Sequence, residues 1–183
     1  FGIFFYFILK KKKAVKEILD APFSKEWEEL LIKDVQFYKE LSVKDKIRFQ
    51  TKIKRFIGTT TITGVKDLEV TDELKLLVAC SAIIPVFKFD GWEYVNLSEV
   101  IIYDGAVEPN QKNDAEQDGT LLGQVRPFQS KHVLLLSKQY LIQGFQSMNG
   151  KSNVGIHEFA HLLDQADGDT DGIPKAFMPE SLL

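Results

Sequence analysis

The chain of 183 residues has a single cysteine, Cys80, and therefore cannot form an internal disulfide. Cys80 lies in the apolar run LLVACSAII, where a buried and inert thiol is expected. The 23 basic and 26 acidic residues leave a formal net charge of -3, so no overall positive field is present to hold a nucleic-acid backbone. The single thiol is compatible with a reducing compartment, and nucleic acid is not expected as a direct ligand.

The sequence also has no apolar run of the length that spans a bilayer, which is about 20 residues. FGIFFYFIL at residues 1–9 is short, and four lysines follow it at residues 10–13. If the sequence has lost its beginning, residues 1–13 are expected to be the end of an N-terminal membrane anchor with a basic flank on the cytoplasmic side. The alternatives are a buried strand and a signal-peptide core, and the missing small-residue cleavage site counts against the signal peptide.

Residues 14–183 are expected to form one globular domain, because a chain that is 44% hydrophobic and 11% aromatic can bury a full core. Helical periodicity predicts three helices with Ser24, Ser42 and Thr71 at their starts and with Gly58 and Pro85 ending the second and third. They cover residues 24–41, 43–57 and 71–84, and the third, apolar nearly all round, should be buried. The expected core stripes are Trp27, Leu30, Leu31, Val35 and Tyr38 on the first helix, and Ile47, Phe49, Ile53, Phe56 and Ile57 on the second.

Strands are predicted where short apolar or β-branched runs stand between turn residues, at residues 59–65, 97–104 and 132–137. Residues 105–129 are rich in Gly, Asn, Asp, Gln and Pro, which indicates a long surface loop or a hairpin with a weak arm. A short helix at residues 137–145 and a helix capped by Asn153 follow. The expected fold is α+β: a small mixed sheet of three or four strands packed on the last helix and the buried third helix, with N-terminal helices added.

The helix after Asn153 carries His157, Glu158 and His161 in an H-E-x-x-H motif, which uses two of the three histidines of the chain. The four-residue gap stacks the two imidazoles one helical turn apart, so their ring nitrogens can converge on one tetrahedral metal ion. Glu158, one position round the helix, is suited to act as general base for a metal-bound water, whose pKa zinc lowers to about 7. The alternative is a surface histidine pair on an amphipathic helix.

On this helix, Ile156, Phe159, Ala160 and Leu163 are expected to face the core, at spacings of three and four residues. His157, His161 and Asp164 are expected on a different face.

The run HEFAHLLDQADGDTDGIP, with IIYDG and HVLLLS upstream, resembles the MtfA family (Mlc titration factor A), the zinc-dependent, glucose-regulated peptidases. The resemblance implies a zincin-like fold of the gluzincin type, one zinc ion bound by His157 and His161, and Glu158 as catalytic base. It places Asp164 in the register of the family's HExxHxLD, as a candidate partner for a ligating histidine; a solvated helix-end carboxylate is the alternative. It also implies aminopeptidase-like activity on small substrates. A cytoplasmic location is expected, with anchoring to the inner face of a bacterial membrane if residues 1–13 follow a membrane helix.

The third zinc ligand of that family is a glutamate on a later helix, which would lie beyond residue 183. Glu180 has the spacing of another gluzincin branch, the membrane-alanyl-aminopeptidase type. Pro174 and Pro179 interrupt its segment, whereas that branch delivers its glutamate from a regular helix. We therefore expect a chain truncated at both ends rather than a ligand at Glu180.

Three other features of the sequence contain residue types that could bind a metal ion or a substrate. Asp167, Asp169 and Asp171 open a calcium-loop pattern, but Met178 stands where that loop needs a bidentate glutamate, so a solvated acidic turn is expected. His132 is more readily an edge or surface histidine than a ligand. An aromatic cluster around Asp90-Gly91 is expected to pack in the core or at a lip, with a substrate-pocket wall as the alternative; its members are Phe87, Phe89, Trp92 and Tyr94.

These observations predict a zinc-dependent peptidase acting on a peptide or protein substrate. Strand addition by extended peptides directs attention to residues 97–103 or the loop that follows as the substrate edge. The rival prediction is a non-catalytic regulator, because the namesake of the resembled family sequesters a transcriptional repressor. A third alternative is a two-histidine structural or storage site, and imidazole also accepts Co, Ni and Cu.

Overall fold

The computed structural model describes residues 10, 13–105, 123–128, 131–146 and 153–167 of the chain. Residues 13–20 are helical and are labelled α1. The elements that follow, in chain order, are α2 (Lys25–Asp34), α3 (Gln36–Lys39), α4 (Val43–Thr59), β1 (Thr61–Gly64), α5 (Asp72–Val86), β2 (Leu97–Tyr103), β3 (Gly123–Phe128), β4 (Lys131–Ser137), α6 (Lys138–Gln146), α7 (Val154–Asp164) and a 3-10 turn at Gln165–Asp167.

The four described strands form one mixed sheet in the order β1-β2-β4-β3. β1 and β4 both pair in parallel with β2, and β3 pairs antiparallel with β4 as the arm of a hairpin. The predicted α+β fold is confirmed. The prediction that residues 97–103 form a substrate edge is wrong, because β2 has a neighbour on each side. β3, which lies inside the predicted loop of residues 105–129, is an edge strand among the described residues.

Helix α5 forms the centre of the core, with both flanks covered. Thr71 caps it by accepting the Leu74 N–H at 3.3 Å, and its side chains from Leu74 to Val86 are almost all buried. Complete burial of a large apolar side chain contributes about 1.5–3 kcal/mol each, so this helix is a principal source of stability. The expected burial of Cys80 is confirmed, since none of its surface is exposed.

Two predicted helix ends are wrong for local reasons. Helix α4 was expected to stop at Gly58, but it continues to Thr59. The Thr60 N–H still donates to the Phe56 carbonyl at 2.9 Å, so the helical hydrogen bonding runs past the glycine. Pro85 lies inside α5, one residue before its end. There it removes a single backbone hydrogen bond in the last turn, which a buried helix tolerates.

The predicted helix of residues 24–41 is interrupted at Val35, whose extended backbone (φ -110°, ψ 94°) separates α2 from α3. The break still delivers Leu31 and Tyr38 to the core, and both are completely buried. The stripe predicted for α4 is correct at Phe49, Ile53 and Phe56 but wrong at Ile47, which is 61% exposed. Among the described residues no helix is long and apolar enough to cross a membrane. Residues 1–9, on which the anchor prediction rests, lie outside the described part.

Candidate metal centre

The motif helix α7 begins as predicted, with the Asn153 side chain accepting the Ile156 N–H at 3.0 Å. Its buried face consists of Gly155, Glu158, Phe159 and Leu162. The predicted stripe is therefore wrong in part: Phe159 is buried, but Ala160 is exposed and Ile156 and Leu163 are only partly covered.

The small size of Gly155 allows α7 to pack closely against α5 and α6 on the face that carries this glycine. A Cβ at Gly155 would lie 2.3 Å from Ser81 Oγ of α5 and 3.0 Å from Leu141 Cδ1 of α6. Such a close approach is open only to a residue without a side chain. The helix is thereby rotated so that the face of Gly155 and Phe159 lies against α5.

The two motif histidines lie on the exposed face of α7, and their side chains converge. His157 Nε2 and His161 Nε2 are 3.0 Å apart, with ring centroids separated by 4.4 Å and ring planes at 82°. Two zinc–nitrogen bonds of ~2.0–2.1 Å at a tetrahedral angle place the nitrogens ~3.3 Å apart, only a few tenths of an ångström more. The pair therefore fits two positions of one tetrahedral zinc site.

The protonation state of His161 also suits metal binding. Burial lowers its pKa first, the neighbouring His157 lowers it further, and Asp164 opposes both effects. A lowered pKa favours the neutral imidazole, which is the form that ligates a metal.

Glu158 occupies a different environment from the histidines beside it, since only 8% of it is exposed. Burial raises the pKa of its carboxyl group, and the charge of His157 opposes this. The edge strand β3 provides part of the cover: a Cβ at Gly123 would lie 2.7 Å from Glu158 Cγ and 2.9 Å from Val154 Cγ2. Glycine at this position allows the strand to pass directly over the carboxylate side chain.

One residue that the sequence did not mark, Tyr103, lies in the electrostatic range of Glu158. Tyr103, the last residue of β2, has its pKa raised to about 12 by burial and then by the Glu158 charge, with Arg126 of β3 opposing. Its phenol is protonated at neutral pH, as that of tyrosine ordinarily is, and can donate a hydrogen bond. Tyr103 could have been noticed as a polar residue ending an apolar strand; no local signal marked Gly123 or Arg126.

The described residues contain no group of three His, Cys, Asp or Glu side chains that could hold a metal ion. His132 pairs with Leu97 and Pro127 at the far end of β4 from Gly123, so it does not join the motif histidines. Asp164 has a buried Oδ1 atom without a hydrogen-bond partner in this part of the chain, and no hydrogen bond joins it to either motif histidine there. Glu180 and the acidic turn after Asp167 lie outside the described residues.

The chain matches the family of the glucose-regulated metallo-peptidases M90 over residues 9–182. The protein belongs to this family. The uncharacterized protein slr2042 of Synechocystis sp. is 26% identical over 166 residues, covering 87% of this chain and 60% of that protein. The chain thus spans less than two thirds of that relative. Membership of the M90 family, which is described as a family of metallo-peptidases, confirms the resemblance noted from the sequence.

Proposed function

We propose that this protein is a zinc-dependent peptidase in which His157 and His161 bind the metal and Glu158 is the general base. The observation that carries the proposal is the convergence of the two Nε2 atoms, 3.0 Å apart, beside a carboxylate that is only 8% exposed. Imidazole nitrogens and a neighbouring carboxylate are the groups that zinc-dependent hydrolysis of an amide requires.

Zinc, when bound, polarises the scissile carbonyl and makes an attacking water more acidic. Glu158 accepts the proton of that water and passes it to the leaving amine. Burial raises the pKa of Glu158, which brings the carboxyl group closer to the range in which it both accepts and returns a proton near neutral pH. Tyr103, held in its protonated form, is a candidate hydrogen-bond donor to the substrate.

The substrate is proposed to be an extended peptide that pairs with β3. This strand is an edge of the described sheet, and no described strand pairs with its outer side. Gly123 at its start contacts Glu158, so a peptide aligned along the strand would place a backbone carbonyl close to the base. Aminopeptidase-like cleavage is proposed from the family resemblance alone.

Completion of the metal centre requires a third protein ligand. Zinc in catalytic sites takes three protein ligands and keeps one position open. The resemblance assigns this role to a glutamate on a later helix, and we include that assignment in the proposal. Asp164 is proposed to orient a ligating histidine, which would give its buried oxygen a partner.

The test uses the full-length gene product and the variant Glu158→Gln, with zinc measured by mass spectrometry and hydrolysis measured on aminoacyl-p-nitroanilides. We expect zinc content to be unchanged and kcat/KM to fall about 10²- to 10⁴-fold, the usual effect of removing a general base. Glu29→Gln on the exposed face of α2 is the matched control and should keep full activity. His157→Ala should lose zinc and activity together.

A non-catalytic regulator that binds a protein partner is the second candidate, since only two convergent nitrogen ligands are present among the described residues. The same experiment separates the two functions. If Glu158→Gln hydrolyses peptides as fast as the parent protein, or if the parent protein holds stoichiometric zinc without hydrolysis, the peptidase mechanism is wrong.

A further inference from the structure

A cleft of about 620 Å³ lies away from the motif histidines, between α4 and the segment of residues 90–98. Leu97 and Lys131, the first residues of the parallel strands β2 and β4, line it. Gly123, which contacts Glu158, pairs instead with Leu136 near the other end of β4. The cleft and the base therefore lie towards opposite ends of the sheet.

One part of the cleft lining is apolar and packs into the core. Phe56, Ile83 and Val86 line it and are all buried, and Trp92 meets Tyr94 edge to face at 6.1 Å. The Tyr94 hydroxyl donates to the Ala82 carbonyl at 2.8 Å, which fixes this ring. Such a surface offers contacts to an aliphatic chain or an aromatic ring.

The charged residues around the cleft are unequal in sign. Four basic residues line the cleft, Arg48, Lys52, Arg55 and Lys131. Only two acidic residues do so, Asp90 and Glu93, which leaves an excess of two positive charges. Both acids are used in ion pairs, Asp90 with Arg48 at 2.6 Å and Glu93 with Arg55. Lys52 and Lys131 form no ion pair with any described carboxylate. Lys52 is half-buried and donates to the Phe89 carbonyl at 2.9 Å.

We propose that this cleft is a binding site for a small amphipathic carboxylate, such as a medium-chain fatty acid. The hydrocarbon body would lie against Phe56, Trp92 and Tyr94, and the carboxylate would bind Lys52 and Lys131. The volume of 620 Å³ is within the range of ligand pockets, roughly 300–1,000 Å³. The apolar wall alone would accept a neutral ligand, but the two ammonium groups, which pair with no described carboxylate, select an anion.

The cleft shares its wall with the motif helix. Phe56 and Tyr94 both meet the Phe159 ring edge to face, at 5.7 and 5.2 Å, and Phe159 follows Glu158 directly in the chain. The side chain of Asn96, beside the cleft, also donates to the Leu162 carbonyl of α7 at 2.8 Å. The proposed ligand would thus bind next to the helix that carries the metal ligands, at a site distinct from theirs.

Trp92 gives a direct signal for binding, since Trp27 is the only other tryptophan. In a Trp27→Phe background, titration with decanoate should give a saturable change in Trp92 fluorescence. Decan-1-ol, with the body and no charge, and acetate, with the charge and no body, should each bind at least about tenfold more weakly. The titration is made on chelator-treated protein, so its outcome does not depend on the proposed peptidase activity.

Lys52→Met and Lys131→Met remove the two charges and keep the length of the side chains. Each should weaken decanoate binding about tenfold and leave decan-1-ol binding unchanged. Lys44→Met on the same helix α4, away from the lining residues, is the matched control and should bind like the parent. Thr51→Phe, which puts a ring into the cleft from an exposed helix position, should weaken both ligands.

Equal affinity for decanoate and decan-1-ol would overturn the proposal, as would decanoate binding that survives loss of both lysines. Binding of inorganic phosphate as tight as that of decanoate would also overturn it, because the site would then be a plain anion site. Circular dichroism of each variant verifies that the fold is kept, and Lys131→Met at a strand start supplies an independent reading if Lys52→Met is destabilised.

Discussion

Replacement of Gly123 by alanine tests the contact between β3 and the motif helix. The new methyl group would lie 2.7 Å from Glu158 Cγ and 2.9 Å from Val154 Cγ2. Ordinary carbon–carbon contacts are about 3.5–4.0 Å, so the strand or the Glu158 side chain must move by roughly 1 Å.

Two free-energy terms of opposite sign follow. Glycine to alanine in an extended strand usually stabilises by about 0.4–1 kcal/mol, because the unfolded chain loses freedom. Overpacking against the helix costs about 1–3 kcal/mol, so the variant should be less stable by about 1 kcal/mol. A displacement of 1 Å at the base should reduce kcat/KM on the order of 10²-fold, with zinc binding unchanged because neither histidine is touched.

Urea unfolding gives the free energy of unfolding, and aminoacyl-p-nitroanilide hydrolysis with zinc analysis gives the activity. Gly58→Ala in α4 is the matched control, since its methyl group would meet only ordinary contacts at 3.5 Å or more. That variant should be stabilised by about 0.5–1 kcal/mol with unchanged activity. Wild-type activity and stability in Gly123→Ala would refute the inference that β3 passes directly over Glu158.

Three further predictions concern packing, reactivity and pH. Gly155→Ala should lower the free energy of unfolding in urea by about 1–3 kcal/mol, although alanine favours helices. Adding Ser81→Gly should recover part of this loss, because it removes the side chain that the new methyl group meets. Additive losses in the double variant would contradict the close contact. Burial raises the pKa of the Cys80 thiol, so a disulfide reagent should modify it only in denaturant; rapid reaction of the native protein would show that α5 is not buried. In metal-free protein the ionised Glu158 costs stability above its raised pKa, and the cost is absent below the pKa of the unfolded chain, about 4.3. Glu158→Gln should therefore be more stable than the parent at about pH 8 and equal to it near pH 4, and a difference that grows as the pH falls would contradict burial as the cause.

Features set by neighbouring residues were predictable from the sequence. Ser24, Ser42, Thr71 and Asn153 each accept the expected N–H at a helix start. Helix α5 is buried on all sides as its composition indicates. Capping depends on contacts within a few residues, and an apolar helix surface on all sides can be recognised from the composition of the helix itself.

Features set by distant pairing were not predictable. The apolar sequence of β2 would be the same for an inner strand and for an edge strand. Its inner position in the sheet follows from the pairing of β1 on one side and β4 on the other. The break at Val35 leaves the spacing of Leu31 and Tyr38 compatible with one continuous helix. Ala160 was expected to face the core but is exposed, whereas Gly155, for which no role was predicted, packs against Ser81 of α5.

The candidate site divides in the same way. The four-residue spacing of His157 and His161 puts both side chains on one face of a single helix, so the sequence was enough to predict that their nitrogens can converge, as they do at 3.0 Å. The environment of Glu158 cannot come from the helix, because an isolated helix would leave its carboxylate in water with an ordinary pKa. Strand β3, paired to β4 and crossing at Gly123, provides part of the cover of this carboxylate. The proposed base Glu158 thus depends on Gly123 of β3, which lies 35 residues before it in the chain. A change confined to β3 should therefore impair hydrolysis while the histidine pair still binds zinc.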